Sequence, residues 1–278
     1  MSLLDFVVSL SLISVSAGLL GSLIGLGGGV IIVPVLTLLY HVDIRLAIGA
    51  SLLSVIATSS GAAVTYVREK LTNLRAGMFL EIATTIGAIS GAYLTTIIAS
   101  NSLYILFAIV LAYSALTILH KRKGSEILTR SSDKLANYLD LHGSYYDKKL
   151  GRTIKYKVQN TKLGLGIMYV AGMVSALLGV GSGALKVPAM DAAMHMPIKA
   201  SAATSDFMIG VTAAASAGAY FVRGEINPLI SGPVVLGVLV GAIFGSRLLN
   251  KISSGLIKFI FVGVLVIIAV EMLQRGLS

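Results

Sequence analysis

A chain of 278 residues that is 56% hydrophobic and only 12% charged, with a mean hydropathy of +0.90, is not an ordinary soluble domain, where roughly 25% of residues are charged. Its net charge of +10 does not point to nucleic acid, because half of its 22 Lys and Arg residues fall between Lys121 and Lys162; basic clusters beside apolar spans record membrane topology or contact with anionic lipid. The absence of cysteine excludes disulfides, thiol catalysis and iron–sulfur ligation.

Taken in chain order, the first apolar stretch runs from Asp5 to Leu39, without the basic leader of a cleaved signal peptide. As one helix its 35 or so residues would measure about 52 Å at about 1.5 Å per residue. That is too long for one crossing of a ~30 Å hydrocarbon core and too short for two with a turn. A hairpin of two shortened helices broken at Gly27, Gly28 and Gly29 is expected. Membrane spans are then predicted at about 46–67, 78–98 and 102–119. A polar segment, 121–162, follows. It holds a helix-like stretch from Ser132 to Leu141 and an alternating run from Arg152, which suggest a small folded insert with a hairpin around Tyr145–Val158; a flexible linker is the alternative. A second apolar stretch, Lys162 to His195, breaks at Gly181, Ser182 and Gly183, and spans are predicted at about 200–222, 230–248 and 256–274.

The two halves are copies. GLLGSLIGLGGGVIIVPVL (Gly18–Leu36) and GMVSALLGVGSGALKVPAM (Gly172–Met190) agree at seven positions, 154 residues apart. The same offset pairs His41 with His195, Ser51 with Ser205, Thr58 with Thr212, Tyr66 with Tyr220 and Asn73 with Asn227. It also pairs the GAIxG of Gly87–Gly91 with that of Gly241–Gly245, after two compensating slips in between. A duplicated membrane unit with a helix-breaking motif in each half points to a transporter's binding site. The expected organisation is a first membrane repeat over 1–120, a basic insert over 121–162 and a second membrane repeat over 163–278. The fold class is an all-α polytopic membrane protein with two inverted repeats, each a broken or re-entrant Gly-rich helical hairpin plus three transmembrane helices. Charge sets the orientation. With broken hairpins, Arg68, Lys70, Arg75, Lys199, Arg247, Lys251 and Lys258 share one side, against Arg45, Arg223 and Arg275 on the other. The positive-inside rule therefore makes the insert cytoplasmic and puts both termini outside.

The doubled glycine motif followed by Val-Pro, with AIGASL (Ala47–Leu52) and AATS (Ala202–Ser205) beside it, resembles the sulfite exporter TauE/SafE family of membrane transporters. The resemblance implies a multi-pass cell-membrane protein, an exporter of a small sulfur-containing anion such as sulfite or an organosulfonate. Two positions depart from the pattern: Ser182 replaces the middle glycine of the second copy, and Lys186 stands where an apolar residue is expected. An anion-selective channel is the alternative reading.

Glycines let a helix break without a Cβ clash, and broken helices at membrane depth line cavities. The helices beginning near Gly29 and Gly183 would aim amide groups and the positive ends of their dipoles at such a cavity. An anion is therefore expected between Gly27, Gly28 and Gly29 on one side and Gly181, Ser182 and Gly183 on the other. Ser51, Thr204 and Ser205 would add hydroxyl donors. Lys186 would attract the charge, with Asp206 as its counter-ion in a coupling role. The other GAIxG glycines read as helix-packing positions, Glu81 and Glu271 as interfacial, Tyr66 and Tyr220 as interface anchors, and His41 and His195 as loop residues. No nucleophile–base pair or metal-ligand cluster stands out, so neither enzymatic activity nor a cofactor is expected; the partners are the anion and the lipid bilayer, with a homo-oligomer left open.

Overall fold

A computed structural model describes residues 3–24, 28–119, 133–147, 151–248 and 254–277. The first half comprises α1 (Leu3–Ile24), α2 (Gly29–Pro34), α3 (Ile44–Arg68), α4 (Leu74–Ile97) and α5 (Ser100–Leu119). A small insert carries α6 (Lys134–Tyr138), β1 (Gly143–Asp147) and β2 (Arg152–Tyr156). The second half has α7 (Thr161–Leu178), α8 (Gly183–Pro188), α9 (Ile198–Val222), α10 (Pro228–Leu248) and α11 (Ser254–Leu277). Among the described residues, five helices (α1, α3, α4, α5 and α7) are long and apolar enough to cross a membrane. Large apolar side chains such as Ile86, Tyr93, Leu116, Phe221 and Leu236 face outward, as lipid-facing surfaces do.

Several sequence signals of the duplication have structural counterparts at the same offset. Pro34 and Pro188 end the short helices α2 and α8, and each is followed by one π-helical turn, Val35–Leu39 and Ala189–Ala193. Proline has no N–H for the preceding turn and crowds its carbonyl, so the ladder widens there. The next bend falls on His41 and His195, both with left-handed backbone at φ 53 and 56. The bend between the third and fourth helices of each half falls on Lys70 and Gly224, again both left-handed. Asn73 and Asn227 then open α4 and α10 by accepting from the N–H groups of Ala76 and Leu229, the usual work of an N-cap side chain.

The expected hairpin of two shortened helices is unequal. The helix before each break is long, 22 residues in α1 and 18 in α7, and only the returning helix is short. Gly179 ends α7, whereas Pro34 and Pro188 end the short helices α2 and α8.

The halves pack by exchange. α1 lies along α10 and α7 along α4, while α3 meets α9 and α5 meets α11. A Cβ on Gly18 would collide with the backbone of Val238, and one on Gly172 with that of Thr84. Gly241 is pressed against Val15 and Gly87 against Tyr169 in the same way. Each pair maps onto the other by the 154-residue offset, so the glycines set close backbone approach at two contacts on each of two equivalent crossings, α1 with α10 and α7 with α4. Tyr220 is buried, not an interface anchor, and donates to Ala176 O at 2.8 Å.

The described part of the insert is folded, with β1 and β2 antiparallel and Gly143 opposite Tyr156. Tyr145, Ile154, Tyr156 and Val158 bury against Met190, Met194, Met196 and Met208 and against Ala76 and Leu80 of α4. Asn73 Nδ2 donates to Leu141 O at 2.9 Å and Tyr156 Oη at 3.1 Å, and Lys199 holds Asp147 at 2.7 Å. Burial pushes the Tyr156 hydroxyl to about 12, so it stays neutral at any physiological pH. Asp133 ties the insert to α7, accepting from Leu135 N–H at 3.1 Å and Thr161 N–H at 2.9 Å. Those two bonds hold its carboxyl below the ordinary carboxylate value. A carboxylate with a lowered folded-state pKa stabilises at pH above its unfolded value and loses that contribution as pH falls through the folded one. Below about pH 4, limited proteolysis is therefore expected to cut the insert before the helices, and Asp133→Asn to show the same cutting at neutral pH.

Candidate functional site

The two glycine breaks meet in the core. α7 ends at Gly179, left-handed with φ 67, and Gly181 (φ 20) leads into α8. In the first half Gly28 precedes α2, and its carbonyl accepts from Ile31 and Ile32; Gly27 lies outside the described residues. A Cβ at Gly29 would sit 2.6 Å from Gly179 O, so that position excludes any larger residue. Ser51, buried on α3, places its hydroxyl 2.6 Å from Gly179 O and 3.2 Å from Gly29 O. Its single proton is thus committed to carbonyls of both breaks: Ser51 joins the two segments.

Ser205 occupies the equivalent place on α9, but its hydroxyl is buried without a hydrogen-bond partner. Ser182, before α8, is likewise buried and unpartnered, as is Ser175 one turn before the end of α7. Ser175 and Ser182 line a cavity of about 10 Å³ with Val110, Val174, Gly181 and Leu185, about the room of one water. Buried hydroxyls normally find partners; the two idle ones beside the second glycine break, Ser175 and Ser182, are available donors.

Lys186, one turn into α8, is fully buried. Its ammonium donates to Thr212 Oγ1 of α9 at 2.6 Å and lies 3.7 Å from Glu81 Oε2 of α4. Thr212 in turn lies 2.6 Å from Glu81 Oε1, and Thr85 donates to the same oxygen at 3.3 Å. The counter-ion of Lys186 is therefore Glu81 and not Asp206, and Glu81 is buried rather than interfacial. Asp206, six residues before Thr212 on α9, lies within electrostatic reach of Tyr66 instead. Thr204 points elsewhere too: its hydroxyl accepts from Asn73 N–H at 3.0 Å and secures the start of α4.

The structure thus brings Gly29 and Ser51 against Gly179 at the end of α7, lines a small cavity with Gly181 and Ser182, sets Lys186 one turn away in an ion pair, and turns Thr204 and Asp206 to other partners. Sequence reasoning missed Glu81, Thr212 and Ser175. Thr212 was visible as the repeat partner of Thr58; Glu81 falls in the stretch where the two copies slip out of register, and no spacing marks it. Among the described residues there is no cluster able to hold a metal ion.

Comparison with known proteins gives a consistent picture. The family model described as "Sulfite exporter TauE/SafE" matches residues 10–272. The chain is 30% identical to "Probable membrane transporter protein YunE" of Bacillus subtilis (strain 168), over 99% of both chains. It is 26% identical to "Probable membrane transporter protein YdhB" of the same organism, covering 87% of this chain and 89% of the relative. A probable membrane transporter protein of Methanocaldococcus jannaschii is also 26% identical, over 85% of this chain and 82% of its own length. No solved structure matches.

Proposed function

The chain belongs to the sulfite exporter TauE/SafE family and is a membrane transporter, and on that premise we propose that it exports a small sulfur-containing anion, sulfite or an organosulfonate, by alternating access. The observation that carries the reading is the junction of the two glycine breaks, tied by Ser51, with the unpartnered hydroxyls of Ser175 and Ser182 lining the cavity beside the second break; Ser205, buried and unpartnered at the repeat position of Ser51, is assigned to the same site. Backbone there has left the helix inside the protein, where amide groups and idle hydroxyls suit oxyanion oxygens. The two halves act as inverted repeats with each short helix re-entrant; the seven-to-three division of basic residues supports this, with the insert cytoplasmic and both termini outside.

The test is a thermal-stability titration of the purified protein with sulfite, thiosulfate, sulfate, taurine and sulfoacetate. A ligand of the folded state at ~100 times its Kd stabilises by about 2.7 kcal/mol. Ser182→Ala and Ser205→Ala remove groups that bond nothing in the free protein, so neither is expected to lower its stability. Each should weaken binding of the responsive anion by about 1.5–3 kcal/mol, the worth of a hydrogen bond to a charged group. Unchanged binding in both variants, or no response of the wild type to any sulfur anion, rejects the assignment.

A further inference from the structure

Lys186 and Glu81 are desolvated yet leave hydrogen-bonding capacity unused. An ammonium has three N–H donors, and Lys186 directs one to Thr212. Glu81 Oε2, 3.7 Å from Nζ, has no hydrogen-bond partner. A buried ion pair is favourable only when close and fully bonded, so this one is built to accept another group. The pair also has no counterpart in the first half: Ile32 stands at the position of Lys186, and residues 234–236, opposite Glu81 in the repeat, are Val, Val and Leu. At the repeat-equivalent positions this charge site therefore occurs once.

Charge balance decides what entry of an anion requires. Lys186 and Glu81 together are neutral. A monovalent anion drawn to the free N–H groups of Lys186 leaves the buried cluster with one net negative charge, which a low-dielectric interior strongly disfavours. One proton on Glu81 restores neutrality. Resting on the anion-carrier reading, we infer that Glu81 is the proton-coupling residue: the substrate anion displaces its carboxylate from Lys186, Glu81 takes one proton from water, and anion and proton cross together, outward whenever the anion's own gradient exceeds the opposing proton gradient. Thr212, which bonds both partners, relays the exchange.

Other charged and titratable groups on the packed elements are placed away from this role. On α4, Arg75 pairs with Asp140. On α9, Lys199 pairs with Asp147, and Asp206, six residues before Thr212, lies within electrostatic reach of Tyr66. Asp191 lies in the π turn five residues beyond Lys186, and α7 carries Lys162 in its first turn and Tyr169 against Gly87. Tyr145 and Tyr156 of the insert pack in the cluster around Leu80.

The experiment uses the full chain in proteoliposomes with a lumenal pH dye, and two monovalent probes, bisulfite and a simple alkanesulfonate. Wild type is expected to accumulate the transported probe down an imposed proton gradient and to carry protons with it. Glu81→Gln is expected to lose gradient-driven accumulation by about 10-fold or more, within the ~5–150-fold range of a coupling free energy, while its residual anion exchange loses its dependence on pH. Glu81→Asp, which keeps the carboxyl, should retain coupling, and size-exclusion profiles verify folding of each variant. Transport by wild type without proton movement overturns the inference, as does proton-driven accumulation in Glu81→Gln. Equal loss of both activities in Glu81→Gln, restored by adding Lys186→Met, also overturns it and makes the pair structural. Failure of wild type to carry any probe instead rejects the sulfur-anion reading on which the inference rests.

Discussion

Lys186→Met is expected to destabilise the protein by about 3–5 kcal/mol, because it leaves Glu81 buried without its counter-charge. Adding Glu81→Gln should recover most of that loss, since the double variant buries two neutral groups of similar shape in place of one orphaned charge. The interaction energy of the cycle, read from denaturation midpoints in detergent, then measures the pair itself. Asp206 supplies the control: Lys186→Met with Asp206→Asn should be no more stable than Lys186→Met alone, because Asp206 does not face the ammonium. Equal stability of the single and the double Lys186/Glu81 variants would mean that the 3.7 Å separation carries no coupling.

Gly172→Leu and Gly18→Leu are expected to abolish correct folding, each by the same route. At both positions a Cβ would overlap the backbone of the facing helix, at Thr84 on α4 and Val238 on α10. A flexible side chain can swing aside, but a helix backbone moves only as a unit. The cost therefore exceeds the ~1–3 kcal/mol of ordinary overpacking, and little monodisperse protein should elute from size exclusion. Gly166→Leu on α7 is the control. It meets nothing within 4 Å and adds an apolar side chain to an exposed position, so yield and melting temperature should hold. Normal elution of Gly172→Leu would show that α4 and α7 do not approach as closely as described.

The architecture was legible because it is written twice. Glycine and proline act through backbone geometry, which does not depend on what packs around them, so the breaks at Gly28–Gly29 and Gly181–Gly183 and the ends at Pro34 and Pro188 fall where the motif puts them. The hairpin expected around Tyr145–Val158 is found two residues away at Gly143–Tyr156, because alternation marks strands but not their ends. What stayed hidden depends on partners remote in the chain. Ser51 looked like a ligand donor, but its proton goes to carbonyls at Gly29 and Gly179, the latter 128 residues away. Thr204 looked alike and caps a loop 131 residues distant. Asp206 sits on the next long helix after Lys186, beside Thr204 and Ser205, yet helical rotation turns it away from the face that carries Thr212, and a carboxylate from the other half takes its place.

The exchanged packing of the halves has a consequence for how the chain is made. α1 leaves the ribosome long before its principal neighbour, α10, which begins only at Pro228. Through most of synthesis α1 must therefore wait beside lipid or a chaperone with its glycine-lined face uncovered. The first half has no finished interior of its own, and α4 stays open until α7 arrives beyond the insert. The duplication has left two modules that look autonomous in sequence but can only complete each other, so the insert between them also sets how long each waits for its other half.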